Sequence, residues 1–153
     1  MIRIRFEIKG VPDVEAAFDD LWLKTLEATG LAMGVILHQV ARQERVMLSL
    51  GWHPFGTRTG SIPPSPPWRI SGALSRSVTV EGPRMYNFVW RGQVGPTSPY
   101  GRIHELGGWT GAGYRTYLPP RPHLAPAWAI VRPTVHSTFA KVWEHTTRPN
   151  RRL

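Results

Sequence analysis

The chain has 153 residues, a formal net charge of +9 and no cysteine. This length fits one domain, and the lack of cysteine excludes disulfides, thiol catalysis and thiolate metal sites. No apolar run approaches the ~20 residues that a membrane-spanning helix needs, and Met1–Lys9 lacks the apolar stretch of a signal peptide, so a soluble protein is expected.

The N-terminal part predicts a strand followed by helix. Apolar and charged residues alternate over Ile2–Lys9, which predicts a strand that ends at Gly10. From Val14 to about Leu48 the apolar residues recur at spacings of three and four, which predicts one long helix or two consecutive ones. Gly30 and Gly34 leave both possibilities open, because each weakens a helix by about 1 kcal/mol relative to alanine. The predicted apolar face consists of Phe18, Leu21, Trp22, Ala28, Leu31, Val35, Ile36, Val40 and Met47.

The middle of the chain predicts a long loop and then a hairpin. Gly51–Pro67 is too rich in proline and glycine for a regular helix or a central strand. Ser71–Arg76 predicts a short helical turn leading into a strand at Ser77–Glu81. Gly82-Pro83 indicates a turn, and Met85–Gln93 a second strand.

The C-terminal part predicts mainly helix. Tyr100–Leu106 reads as a short helix that ends at Gly107-Gly108, and Trp109–Tyr117 as a loop or a third strand. A final helix is predicted over about Leu124–Glu144, with an apolar stripe and a kink at Pro133. The stripe comprises Ala127, Trp128, Val131, Val135, Phe139 and Val142.

These elements predict an α+β fold, in which a small antiparallel sheet is packed by a long N-terminal helix and a C-terminal helix. Long loops rich in proline and glycine join the elements. We expect residues 1–147 to form one domain and residues 148–153 a basic C-terminal tail.

Catalytic signatures are missing. His104-Glu105 begins like a zinc-binding helix, but the second histidine would have to stand at position 108, which is glycine. His104 is therefore interpreted as a polar packing residue. Carboxylates are scarce after residue 40, where only Glu44, Glu81, Glu105 and Glu144 occur, so paired carboxylates are hard to assemble. The sequence predicts neither an enzyme nor a cofactor.

Charge is divided unevenly along the chain. Residues 1–40 contain four Lys and Arg against six Asp and Glu, while residues 41–153 contain fifteen against four. The basic part suits either nucleic acid or an acidic protein surface. Its arginines are spread over many elements, and interleaved aromatic residues would suit stacking on single strands. The arginines are Arg58, Arg69, Arg76, Arg84, Arg91, Arg102, Arg115 and Arg121, and the aromatic residues include Trp68, Trp90, Trp109 and Tyr114. A basic nucleic-acid-binding module is thus one open interpretation; an oligomer that buries these side chains between subunits is the other.

Three motifs occur in a fixed order. The first, Ser71–Ser77, reads Ser-Gly-Ala-Leu-Ser-Arg-Ser; the second, Tyr100–Gly107, reads Tyr-Gly-Arg-Ile-His-Glu-Leu-Gly; the third, Pro119–Ala127, reads Pro-Pro-Arg-Pro-His-Leu-Ala-Pro-Ala. Their order and spacing resemble those of the tail-completion, or neck, proteins of long-tailed bacteriophages. The chain departs from that pattern at Ser71, where threonine is usual, at Gly101, where alanine is usual, and in its basic middle. Tail proteins of contractile phages share similar motifs and are a neighbouring alternative.

The motifs also have a physical interpretation as rigid joints at interfaces, although each residue has the alternative role of stabilising the monomer. The candidate interface or structural residues are Gly72, Leu74, Ser77, Tyr100, Glu105, Gly107, Pro120, Arg121, Pro122, Leu124 and Ala127.

The resemblance implies a structural virion protein that acts in tail attachment and DNA passage. It would form a ring of roughly six or twelve copies at the head–tail junction or the top of the tail. Its partners would be other neck, connector, tail-tube or terminator proteins and, transiently, the passing DNA. It would be found in the virion, and in the host cytoplasm during assembly, without contact to a membrane.

Overall fold

The computed structural model describes residues 11–56 and 61–148. A single helix, α1, spans Val11–Met47, which settles the choice between one helix and two. Asp13 lies in its first turn and Arg45 in its last, so both charges interact favourably with the helix dipole. The predicted strand over Ile2–Lys9 lies outside the described residues.

The segment after α1 is irregular, as its proline and glycine content predicts. It is tied at one point, where the Arg69 N–H donates to the Gly51 carbonyl at 2.7 Å and Trp52 forms an isolated bridge with Arg69. A one-turn helix, α2, follows over Ala73–Arg76. The predicted helical turn at Ser71–Arg76 is therefore confirmed.

An antiparallel hairpin follows α2, but its turn lies elsewhere than predicted. Strand β1 spans Val78–Tyr86 and β2 spans Val89–Pro96. The chain reverses at Asn87 and Phe88, whose φ angles are 48° and 62°, as a tight hairpin turn requires. The expected turn at Gly82-Pro83 is wrong: these residues lie within β1 where the strand register shifts, and proline costs no ladder hydrogen bond at such an irregularity.

A short helix and a second small hairpin continue the chain. Helix α3 spans Pro99–Leu106 and ends at Gly107, as predicted. Strands β3, Gly108–Thr110, and β4, Thr116–Leu118, pair antiparallel. The alternative of a strand in Trp109–Tyr117 is thereby confirmed in part, since two short strands enclose a turn.

The C-terminal helix is interrupted at Pro133. Helix α4 spans Leu124–Val131, a single 3₁₀ turn covers Arg132–Thr134, and helix α5 spans Val135–Thr147. Proline lacks the N–H that a continuous helix would use, which accounts for the interruption predicted there.

The C-terminal half of α1 forms the centre of the core, because the hairpin, α4 and α5 all pack against it. One buried cluster joins α1 to the C-terminal helices through Ile36, Val40 and Val131. A second joins α1 to the hairpin through Ala41, Leu48 and Val78. The predicted α+β fold, with helices packed on a small antiparallel sheet, is confirmed.

The predicted apolar faces are buried only in part. Ala28, Ile36 and Val40 of α1 are buried, as are Ala127 and Val131 of α4. Five residues of the predicted α1 face are exposed instead: Phe18, Leu21, Trp22, Leu31 and Val35. Trp128 of α4 is also exposed. The periodicity thus located the helices but overestimated how much of each face this chain covers.

Candidate interaction surfaces

The second and third sequence motifs meet at the carboxylate of Glu105. This side chain extends from α3 to the start of α4, where its oxygens accept the backbone N–H groups of His123, Leu124 and Ala125 at 2.7, 2.9 and 2.9 Å. These groups have no partner within the helix, so the carboxylate caps α4 from a distant part of the chain. The predicted structural role of Glu105 has a concrete form in this cap.

A buried pair lies directly beneath the cap. Nδ1 of His123 lies 2.9 Å from Oε1 of Glu44, and the two side chains are 1% and 0% exposed. Glu105 Oε2 lies 3.7 Å from the same ring nitrogen. The sequence motifs predict no role for the side chains of Glu44 and His123. One signal was present, because Glu44 interrupts the apolar stripe of α1 between Val40 and Leu48.

The surroundings of the second motif shift two pKa values. Burial lowers the pKa of His104 below its ordinary value of 6.5, and the nearby charges of Arg121 and His123 lower it further. Burial alone would raise the pKa of Glu105, but the three backbone N–H donors and His123 outweigh it, so that pKa lies below 4.5. At neutral pH, Glu105 is therefore charged and His104 is neutral.

All three motifs line one pocket, which we call the α2–α3 pocket, with a volume of about 340 Å³. Gly72, Leu74 and Ser75 contribute from the first motif, Tyr100 and His104 from the second, and Arg121 from the third. The N–H of Arg121 donates to the His104 carbonyl at 2.6 Å, which holds the third motif against α3.

The other candidate residues are mainly structural in this chain. Gly72 has a φ of 75° and precedes α2, while Leu74 packs on the cluster around Leu48. The carbonyl of Ser77 accepts the Thr97 N–H at 2.9 Å. Ala127 is fully buried, and Leu124 packs on the cluster around Ile36. Most of the predicted interface residues thus stabilise the monomer.

The remaining predicted interface residues are Gly107, Tyr100, Pro120 and Pro122, and they differ in how far they are buried. Gly107 has a φ of 72°, and a Cβ there would lie 3.0 Å from both the Leu118 carbonyl and the Pro120 nitrogen. Only glycine suits this close approach. Pro122 is half-buried, Pro120 is exposed and Tyr100 is largely exposed, so the last two remain available to a partner.

The basic surface has few internal partners. Within residues 11–56 and 61–148, Arg148 is the only arginine in an ion pair with a carboxylate, that of Glu144. Two of the four carboxylates after residue 40, those of Glu44 and Glu105, lie beside the His123 ring instead of beside an arginine. Arg84 and Arg91 lie directly opposite each other across the hairpin, which leaves two like charges side by side. Arg58 lies outside the described residues.

The N-terminal half of α1 lies apart from the core. Every residue from Asp13 to Leu23 is exposed, including Phe18 at 67% and Trp22 at 54%. Val14, Phe18, Leu21 and Trp22 continue the helix face that Ala28 and Ile36 bury further along. We call residues 13–23 the projecting segment of α1. It has the apolar stripe of a packed helix, but no described part of the chain covers it.

An open apolar groove lies where the projecting segment joins the core. It has a volume of about 720 Å³ and is lined by Leu31, Val35 and Trp90, among others. The Trp90 ring lies so close to α1 that a Cβ on Gly30 would approach it to 2.7 Å. The groove therefore places exposed apolar side chains of α1 beside the hairpin.

Neither a metal site nor a membrane span is found in the described part of the chain. No group of three or more His, Asp or Glu side chains there is placed to hold a metal ion. The described helices also include none with the length and apolar character required to cross a bilayer.

Comparisons of the chain with protein-family models, with curated proteins and with solved structures gave no match. The functional interpretation depends on the motifs and on the surfaces described above.

Proposed function

We propose that this chain is a structural subunit of a bacteriophage neck or tail and assembles as a ring at the head–tail junction or the top of the tail. The observation that carries the proposal is the projecting segment of α1, an amphipathic stretch of helix that no described residue covers. Soluble monomers rarely leave a contiguous apolar surface of this kind exposed, because it favours association. The surface therefore favours a subunit of a larger assembly.

The resemblance of the three motifs supplies the type of assembly. Residues 71–77, 100–107 and 119–127 match the order and spacing of the tail-completion pattern, and they cooperate physically through Glu105 and the α2–α3 pocket. A closed ring of identical copies needs two different complementary patches on each subunit. The acidic projecting segment and the basic remainder offer such a pair.

The proposed role requires neither a catalytic group nor a cofactor. The partners are further copies of the chain, other neck, connector and tail-tube or terminator proteins, and transiently the passing DNA. A strongly basic lumen would retard DNA, so we expect the arginines to face protein. A ring structure with Arg69 and Arg115 in the channel would contradict this orientation.

The test uses the phage that encodes the chain, with a stop codon introduced into this gene. We expect the infected lysate to contain filled heads and tails that have not joined, and purified wild-type chain to restore infectious particles when added to the lysate. Native mass spectrometry and electron microscopy of the purified chain should show oligomers or rings. Normal particles from the mutant phage would contradict the proposal.

Nucleic-acid binding is the second candidate, favoured by the cross-strand pair Arg84 and Arg91. Like charges placed directly opposite destabilise a hairpin, and an anionic partner would relieve their repulsion. A phosphate-binding surface predicts DNA affinity that falls steeply with salt, and Arg84→Ser with Arg91→Ser should weaken that affinity. The absence of DNA binding at low salt would remove this candidate.

A further inference from the structure

The α2–α3 pocket is lined by cationic and neutral side chains only. Arg69, His104 and Arg121 contribute to its wall together with four serines, and none of its lining residues is Asp or Glu. In the described part of the chain, Arg121 and Arg69 form no ion pair with a carboxylate. Among the described residues, the two arginines therefore give the pocket wall positive charge that no carboxylate of an ion pair offsets.

Three of its lining residues hold buried polar atoms that lack a hydrogen-bond partner: Ser61 Oγ, His104 Nδ1 and Arg121 Nε. Ser61 is only 3% exposed. Leaving a buried polar group unsatisfied costs about 1–3 kcal/mol, and such groups are rare in native proteins. Arg121 Nε donates, the serine hydroxyl donates or accepts, and the histidine donates in one of its tautomers. The wall of the pocket thus contains residues with hydrogen-bonding capacity that the described chain leaves unused, and a carboxylate is the kind of acceptor that suits cationic and hydroxyl donors.

The projecting segment of α1 carries carboxylates of this kind. Within the described residues, Asp13, Glu15 and Asp19 form no ion pair, whereas Asp20 pairs with Lys24. Exposed Phe18 and Trp22 lie among them, and exposed Trp68 and Tyr100 line the pocket. The two surfaces thus match in charge and in apolar character.

The carboxylates of the projecting segment cannot reach the pocket of their own molecule. Leu48 lines the pocket and directly follows the C-terminal end of α1. Asp19 lies twenty-nine residues earlier, a separation of about 44 Å at the rise of an α-helix. A carboxylate of the projecting segment that binds in the pocket must therefore belong to another molecule.

We infer that the α2–α3 pocket binds a carboxylate from the projecting segment of α1 of a second copy of this chain, which joins the copies head to tail. The inference rests on the proposed function, because it names the contact through which the copies would assemble. Since each copy carries both the segment and the pocket, repetition of the contact yields a ring or a longer chain.

The test mixes two full-length variants, each with one half of the contact removed. Arg121→Glu places a negative charge in the pocket, and Asp13→Asn with Glu15→Gln and Asp19→Asn removes the charge of the segment without creating a partner for Glu at position 121. Sedimentation should show multimers for the wild type, monomers for each variant alone, and heterodimers but nothing larger for the equimolar mixture. Self-association of each variant should be weakened about tenfold or more, and that of the wild type should fall with added salt.

Matched controls change the same charges elsewhere. Arg84→Glu and Glu81→Lys lie on the hairpin and should associate as the wild type does. Ser71→Asp is a second pocket variant in case Arg121→Glu fails to fold: Ser71 already accepts the Ala73 N–H, and aspartate can do the same while adding a charge. Ser71→Asp should be monomeric, with a circular dichroism spectrum like that of the wild type.

Several results would overturn the inference. These are a wild-type chain that stays monomeric, folded pocket variants that associate normally, and variant monomers that do not pair when mixed. Self-association blocked by free acetate, yet unaffected by the segment variant, would assign the pocket to a small anion instead. Full complementation of the mutant phage by folded pocket variants would overturn this inference but not the proposed function. Failure of the wild-type chain to complement would overturn the proposed function.

Discussion

The Glu105 carboxylate connects parts of the chain that are far apart in sequence. Its two oxygens accept three N–H groups at the start of α4, and one of them lies close to the ring of His123. Because His123 also contacts Glu44 of α1, the side chains of Glu105 and His123 together link α3, α4 and α1. The hydrogen bonds of a charged acceptor contribute more than neutral ones, so the position matters for stability.

Replacing Glu105 with alanine should lower the free energy of unfolding by about 2–3 kcal/mol, because α4 loses its cap and three N–H groups lose their acceptor. Urea denaturation of the purified variant measures this change. Glu81→Ala is the control, since Glu81 is exposed and should shift stability by less than about 0.5 kcal/mol. Equal effects of both substitutions would show that the cap contributes nothing.

Stability should depend on pH through both His104 and Glu105. The pKa of His104 is lower in the folded chain than in the unfolded chain. As the pH falls, His104 of the unfolded chain is therefore protonated before that of the folded chain, and stability decreases from pH 6.5 toward the folded pKa. The pKa of Glu105 is also lowered, so its contribution is complete above 4.5 and is lost as pH falls through its folded pKa. The charged groups that lower the pKa of His104 are Arg121 and His123, and His123 also lowers the pKa of Glu105.

Denaturation midpoints measured between pH 8 and pH 3 test this pH dependence. His104→Gln should remove the loss of stability that begins below pH 6.5, while Glu105→Gln should reduce the loss that begins below pH 4.5. NMR titration of the His104 ring should give a midpoint below 6.5. A midpoint at or above that value would contradict the stated environment of His104.

At the scale of elements, α1 continues through two glycines that the sequence marks as weak points. Gly30 is required by packing, since a Cβ there would lie 2.7 Å from the Trp90 ring. Gly34 has more room, and its nearest neighbour would be a Pro83 side-chain carbon at 3.5 Å. The two glycines therefore differ in tertiary contact, although helix propensity treats them alike.

Gly34→Ala should raise the free energy of unfolding by about 0.5–1 kcal/mol through better helix propensity. Gly30→Ala should lower it by about 1–3 kcal/mol, because the added methyl group displaces the Trp90 ring. Thermal and urea denaturation of both variants give the comparison. A similar gain for the two alanines would show that Trp90 moves aside without cost.

Local patterns predicted most elements of this fold, and the exceptions have physical causes. Periodicity located α1 because its apolar spacing persists over ten turns, and Gly107 marked the end of α3. The hairpin turn was misplaced because Gly82-Pro83 is a strong turn signal, whereas Asn87-Phe88 lacks the glycine that usually follows asparagine there. The Glu44–His123 contact joins positions 79 residues apart, and no local pattern encodes such a distance.

At the scale of the whole molecule, most acidic side chains and most arginines of the described residues occupy different regions. The projecting segment of α1 is acidic and apolar, whereas the described remainder exposes arginines with almost no carboxylate partners. Contacts among the described residues leave this asymmetry uncompensated. A second copy of the chain is the simplest partner that offers both complements.

Phe18→Ser with Trp22→Ser should weaken self-association and leave the free energy of unfolding of the monomer within about 0.5 kcal/mol of the wild type, since both side chains are exposed. Analytical ultracentrifugation and urea denaturation measure the two quantities. Ile130→Ser is the control for an exposed apolar residue on α4 and should associate normally. A large loss of stability would show that the projecting segment packs within its own molecule.

The length of α1 also has a consequence for spacing. Its 37 residues extend about 55 Å, and the part before Ala28, the first buried residue among those whose burial is described, accounts for about 25 Å. A helix that lacks tertiary packing is only marginally stable in water, so amide protons in this part should exchange rapidly in the monomer. If this part of α1 docks on a neighbouring subunit as proposed, it would be a rigid helix of fixed length. The number of α1 residues before Ala28 would then set the distance between neighbouring subunits.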